Sequence, residues 1–238
     1  MRTGYAALVN PIFCAVDRPD LEGTLALTRE LAPHVGGVKL GLEFFVAQGP
    51  RGVEAVAQIG PPIFLDLKLH DIPNTVAGAV REVARLGVAM LTLHASGGRA
   101  MLEAAADAAA GTGARPALLG VTVLTSLDET DLEDIGMAPA PAAQALRLAK
   151  LAVFSGLDGL VCSPHEILGL RRALGPAPKI VVPGIRPAEA ADDQKRVMAP
   201  AEALALGADI LVVGRPITRA PDPAVAAARL ARGLRSAA

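Results

Sequence analysis

The chain has 238 residues, 52% of them hydrophobic and 20% charged, with a formal net charge of −1. That composition excludes intrinsic disorder, which needs low hydrophobicity and high net charge, and it leaves enough apolar material for one large core. Near-neutral charge without a basic cluster interleaved with aromatics argues against a nucleic-acid-binding face.

The amino terminus carries no basic-then-apolar signal pattern, and no run reaches the roughly 18 apolar residues of a membrane-spanning helix, so a soluble, cytoplasmic protein is expected. A first strand is predicted at 12–17 (IFCAVD), followed by a helix at 21–32; a second at 36–40 (GGVKL) precedes a helix at 52–59. The third strand, 62–68 (PIFLDLK), leads to a helix at 74–86, and the fourth, 88–94 (VAMLTLH), to one at 99–110. Strands at 117–124, 158–162, 179–183 and 209–213 alternate with helices at 141–155, 165–174, 200–206 and 223–235. Glycines at 60, 87, 111, 156, 175 and 207 stand where a helix stop is needed. Strictly alternating strands and helices imply parallel strands with helical crossovers, and eight such units in 238 residues imply a single (β/α)8 TIM barrel filling 1–238 as one domain. Cys14 and Cys162, the two cysteines, fall within apolar strand-like runs and read as buried free thiols of a reducing compartment rather than a disulfide.

A barrel of this type places its chemistry at the carboxyl ends of the strands. Asp17, Lys39, Asp66, Lys68, His94, Thr125, Ser126, Arg186, Gly214 and Arg215 all fall at or just beyond such ends. In the third strand Ile63, Leu65 and Leu67 alternate with Phe64, Asp66 and Lys68, so Asp66 and Lys68 share one face. The apolar set must face the helices, which aims the carboxylate and the ammonium into the barrel mouth. A lone Asp/Lys pair reads equally well as a structural ion pair. Convergence with Asp17, Lys39 and Asp71 in one low-dielectric mouth is harder to explain structurally. Alternating signs favour ionised lysines, suited to donating a proton rather than to forming a Schiff base.

The loops after strands seven and eight are where barrels bind phosphate, and there Gly184 precedes Arg186 and Gly214 precedes Arg215. Either pair alone also reads as a turn glycine beside a solvated arginine. The 186–200 connection is long, as lids are, and contains Gln194. His94 reads as a packing residue of the barrel wall. His34, His70 and His165 show no metal-ligand spacing, and the acidic run at 128–134 reads as a solvated surface helix. No pyridoxal, thiamine or metal motif is present, so neither cofactor nor metal is expected.

DLKLHDIPNTV at 66–76 resembles the Asp-x-Lys-x-x-Asp-Ile-Pro-x-Thr signature of orotidine 5′-phosphate decarboxylases. The resemblance extends through AVD at 15–17, VKLG at 38–41, HASGG at 94–98, VTVLTS at 121–126, PGIRP at 183–187, DQKRV at 193–197 and VVGRPI at 212–217. It implies cofactor-independent decarboxylation of orotidine 5′-phosphate to uridine 5′-phosphate, the last step of UMP biosynthesis. By the same resemblance Lys68 protonates the ring carbon left by CO2, Asp66 lies against the substrate carboxylate, and Lys39 and Asp71 complete the charged network. Asp17 and Lys39 hold ribose hydroxyls, and Gln194 contacts phosphate and base. Thr125, Ser126, Arg186, Gly214 and Arg215 line the substrate site. It further implies a homodimer in which Asp71, Ile72 and Thr75 serve the neighbouring pocket. A magnesium-dependent keto-gulonate-phosphate decarboxylase or hexulose-phosphate synthase barrel, a Schiff-base aldolase and a catalytically silent phosphonucleotide-binding barrel are the competing readings. Ile72-Pro73-x-Thr75 argues against the first.

Overall fold

Parallel strands β1 (Ile12–Ala15), β2 (Gly37–Leu40), β3 (Ile63–Leu69), β4 (Met90–His94), β5 (Ala117–Val121), β6 (Gly159–Val161), β7 (Lys179–Val182) and β8 (Ile210–Val213) close into a barrel in chain order, β8 pairing with β1. The computed structural model describes residues 10–137, 140–186 and 198–235. Helices α1 (Leu21–Leu31), α2 (Leu42–Ala57), α3 (Pro73–Ala84), α4 (Arg99–Ala110), α5 (Glu129–Asp134), α6 (Pro141–Phe154), α7 (Ile167–Leu174), α8 (Pro200–Ala205), α9 (Arg215–Thr218) and α10 (Pro223–Arg235) occupy the connections, giving a (β/α)8 barrel. Among the described residues no helix is long and apolar enough to cross a membrane.

Strands buried on both faces read as apolar runs, and period two then sorts each run between two cores. Phe13, Ala15, Phe64, Met90, Leu119, Val181, Ile210 and Val212 fill the barrel interior. Their neighbours Ile12, Cys14, Ile63, Leu65, Leu91 and Leu93 pack outward against the helices. Gly37 is small for a reason: a Cβ there would run into the Phe13 ring and the Pro62 carbonyl. At the amino-terminal face Arg171 ties the chain together, donating to the carbonyls of Gly175, Pro178 and Gly207 and to the Asp209 carboxylate. That face holds the fold, and the opposite rim is left for chemistry.

Each predicted strand is found, most of them one to three residues shorter. Strand five ends at Val121, so Thr125 and Ser126 stand in a turn beyond it. The predicted helix at 52–59 is only the second half of α2. Gly49, with φ 62° and ψ −164°, breaks that element before Pro50, so its Leu42 side is a separate helical piece. The acidic run forms a surface helix, α5, started by reciprocal capping between Asp128 and Asp131.

Phe64 is 1% exposed and Phe154 is 71% exposed. Phe64→Ala is expected to cost about 3–5 kcal/mol in urea unfolding, from lost burial and the cavity left behind. Phe154→Ala should stay within about 0.5 kcal/mol, the usual range for an exposed surface position.

Candidate active site

The interior face of β3 leads upward from Phe64 to Asp66 and Lys68. Pairing with β4 is regular at Leu65↔Leu91 and resumes at Leu69↔Leu93, so four steps along β3 match two along β4. The surplus forms a bulge, and within it Lys68 takes φ 52°, the one positive φ at a non-glycine position among the described residues. A left-handed non-glycine backbone costs about 1–3 kcal/mol and persists only where its surroundings hold it, which is common at functional sites. Here the hold is visible. The Lys68 N–H donates to Thr92 Oγ1 at 2.9 Å, and the Thr92 hydroxyl donates to Asp66 Oδ1 at 2.9 Å. The Lys68 Nζ donates to both Asp66 oxygens, each at 2.9 Å.

From Asp66 the line of charge continues across the mouth. Lys39 Nζ, at the end of β2, lies 3.6 Å from Asp66 Oδ2 and 3.1 Å from Asp17 Oδ1 beyond β1. The order is therefore Asp17, Lys39, Asp66, Lys68, with signs alternating. Lys39 and Asp66 side chains are 11% and 14% exposed, while Asp17 opens to solvent at 47%. Gly41 lets Lys39 reach Asp17: a Cβ there would stand 2.7 Å from Asp17 Oδ1 and 3.2 Å from Lys39 Nζ.

Burial works to raise the Asp66 carboxyl, but the Lys39 and Lys68 ammonium groups and the hydrogen bonds from Lys68 and Thr92 outweigh it and hold it below the usual carboxylate range. Its stabilising contribution is present above the unfolded-state value and is lost as pH falls through the depressed one. His94, at the end of β4, is pushed below 6.5 first by burial and then by His70 and Lys68, with Asp66 opposing. Its ring packs on His70, centroids 5.4 Å apart. Cys14 and Cys162 are free and buried; burial pushes the Cys14 thiol up to about 12, leaving it unreactive near neutrality.

Beside the charged line lies a cavity of about 480 Å3 lined by Asp17, Arg18, Gly184, Arg186, Gly214 and Arg215, together with Thr218 and Arg219. Among the described lining residues four arginines stand against one carboxylate, which makes this an anion site in character. Gly184 has φ 75°, a conformation that suits glycine. The Arg186 N–H donates to the Met198 carbonyl at 3.2 Å, and Ile185 and Met198 form a parallel bridge, so the two ends of the 187–197 connection are held side by side. Gln194 lies outside the described residues.

The predicted residues are not all brought together. Asp71 does not join the ion-pair line in this chain: its carboxylate accepts the Ile72 N–H at 2.6 Å. Asp71, Ile72 and Thr75 are exposed at the rim where α3 begins, and Thr125 and Ser126 are exposed in the turn after β5. Within the single chain the ion-paired line is therefore Asp17, Lys39, Asp66 and Lys68, and Asp71 stands at the rim, on the segment expected to serve a neighbouring pocket. Asp71 lies one residue before Ile72, the N-cap of α3. Thr92, Gly41, Arg18 and Arg219 went unpredicted. Period two along β4 sets Met90, Thr92 and His94 on one face and was the signal for Thr92.

Residues 10–230 match the model of the Orotidine 5′-phosphate decarboxylase / HUMPS family. The orotidine 5′-phosphate decarboxylase of Paramagnetospirillum magneticum is 53% identical over 229 residues, covering 94% of this chain and 97% of that protein. The Sphingopyxis alaskensis enzyme of the same name is 55% identical over 221 residues, covering 92% and 97%. The crystal structure of the Lactobacillus acidophilus orotidine 5′-phosphate decarboxylase superposes with a TM-score of 0.84 at 39% identity, covering 94% of this chain and 99% of that one.

Because the folded His94 resists protonation, the unfolded chain takes up that proton first, and stability falls as pH drops below 6.5. His94→Gln should therefore flatten the decline in melting temperature between about pH 7 and 5, read by circular dichroism. Parallel curves for variant and wild type would contradict the burial account.

Proposed function

The chain belongs to the orotidine 5′-phosphate decarboxylase / HUMPS family, and on that footing we propose that it is a cofactor-independent carboxy-lyase converting orotidine 5′-phosphate to uridine 5′-phosphate and CO2 in UMP biosynthesis. The observation that carries this reading is the alternating line Asp17, Lys39, Asp66, Lys68 opening directly beside the arginine-lined cavity. The cavity takes the phosphate, with Arg186, Gly214, Arg215 and the loop bearing Gln194. Asp17 and Lys39 take ribose hydroxyls, and Thr125 and Ser126 face the ring from the turn after β5. The base then presents its carboxylate to Asp66 and Lys68.

In the reaction the bond between the ring carbon and the carboxylate breaks, its electron pair stays on the ring carbon, and CO2 leaves. That carbon has no conjugated sink. Lys68 stabilises the developing charge and transfers an Nζ proton to it, giving the product and a neutral amine that solvent reprotonates. Repulsion between Asp66 and the substrate carboxylate at about 4 Å amounts to roughly 4 kcal/mol at an effective dielectric of about 20. Enzymic barrier reductions run from about 8 to 23 kcal/mol, with difficult reactions at the upper end. Ground-state stress is therefore the smaller effect, and an ammonium already held at 2.9 Å by both Asp66 oxygens is the larger.

The sugar-phosphate branch of the same family is the competing reading. Both Asp66 oxygens already accept from Lys68, and one also accepts from Thr92, an arrangement built for a carboxylate among ammonium groups rather than for a divalent ion.

The homodimer belongs to this proposal too. Ile72 is 67% exposed beside exposed Asp71 and Thr75, and these three complete the pocket of a second copy. We also take 1–238 as a single barrel domain acting in the cytoplasm, where Cys14 and Cys162 stay reduced.

Loss of the substrate's ultraviolet band on mixing with purified protein tests the reading. Turnover should survive chelator and fall at least about a hundredfold in Lys68→Ala. Retained turnover in that variant would remove Lys68 from its role, and abolition by chelator would favour the sugar-phosphate branch. The nucleoside without phosphate should lose turnover as well as affinity. Mixing Lys68→Ala with Asp71→Ala protein should recover up to about a quarter of wild-type sites by forming heterodimers with one intact pocket; no recovery would refute the shared site.

A further inference from the structure

Thr92 is fully buried on β4, and both hydrogen-bonding directions of its hydroxyl end on the charged pair. A valine of the same shape suits a buried strand position equally well, so packing does not account for the hydroxyl. Asp66 is approached by Lys39 from β2, by Lys68 from its own strand, and by Thr92 and His94 from β4, with Asp17 acting through Lys39. The two ammonium groups ride on long flexible stems, so neither alone fixes the rotation of the carboxylate. Thr92 is β-branched and has a single side-chain torsion on a barrel strand. It is the rigid partner of the set.

The second contact does different work. Across the bulge the β3–β4 register jumps from Leu65↔Leu91 to Leu69↔Leu93, so the Lys68 N–H is met by a hydroxyl where a regular ladder would offer a carbonyl. The left-handed Lys68 backbone is thereby held by a side chain of the neighbouring strand.

We propose that Thr92 is a positioning residue for the decarboxylation, its hydroxyl fixing both the rotation of the Asp66 carboxylate and the left-handed backbone that aims Lys68. The kinetic consequence rests on the decarboxylase reading above. The positioning is a property of the free protein and is measurable without turnover.

Thr92→Val and Thr92→Ala delete the hydroxyl, and Thr92→Ser retains it. On orotidine 5′-phosphate, kcat should fall roughly ten- to a hundredfold in the first two while KM moves less than about threefold, with the serine variant within about threefold of wild type. In the free protein, carbon-13 NMR should show the Asp66 carboxyl titrating at higher pH in Thr92→Val, having lost a bond that favours its ionised form, and unshifted in Thr92→Ser. Amide exchange at Lys68 should be slow in the wild type, a measurement that needs no variant, and faster in Thr92→Val. A valine variant with wild-type kcat and unshifted titration overturns the proposal, as does a serine variant as impaired as valine or fast exchange at Lys68 in the wild type. Wild-type protein inert toward orotidine 5′-phosphate would sink the decarboxylase reading, while titration and exchange would still decide whether Thr92 positions the pair.

Discussion

One carboxylate governs the geometry of the site. Asp66 is mostly buried at the barrel mouth, which is tolerable only because two ammonium groups and a hydroxyl surround it. Remove it and Lys39 and Lys68 face each other with like charge in a poorly solvated space. Keep it, and each lysine has a defined place: Lys39 spans toward Asp17, and Lys68 is drawn against its own strand. The bulge in β3 falls at the same place: the register with β4 shifts between Leu65 and Leu69, and Lys68 takes its left-handed backbone there.

The rest of the barrel serves that arrangement. Bulky apolar residues plug the interior below the mouth, and the Arg171 and Arg115 ion pairs tie down the amino-terminal face. Strain at Lys68 is therefore borne by a scaffold that does not yield locally. The arginine-lined cavity lies to one side of the charged line; on the proposed reading it anchors the phosphate, the base is directed toward the lysines, and remote binding energy holds the ring carboxylate near Asp66, where it is unwelcome.

Much of this was legible in the residues. Alternation of Ile63, Leu65 and Leu67 with Phe64, Asp66 and Lys68 gave the face of β3 correctly, because period two survives up to the bulge. The bulge itself was not legible: a run of Leu and charged residues carries no sign that two extra residues enter the register. The first half of α2 was hidden for a similar reason, since Gly49-Pro50 reads as a break and the short piece before it starts at Gly41 without a capping side chain. Asp71 illustrates a third limit. Its spacing from Lys68 suggests membership of the network, yet the chain turns at that point and the carboxylate bonds to the next amide. Its proposed role lies with a second copy, which no single-chain pattern contains.

The central claim is that Asp66 and Lys68 act as one unit rather than as two independent contributors. A double-mutant cycle with Asp66→Asn and Lys68→Ala, read as single-turnover decarboxylation of orotidine 5′-phosphate with enzyme in excess, measures this directly. If the pair is one device, the double variant is no slower than the slower single variant. Losses that multiply across the two substitutions would contradict the account.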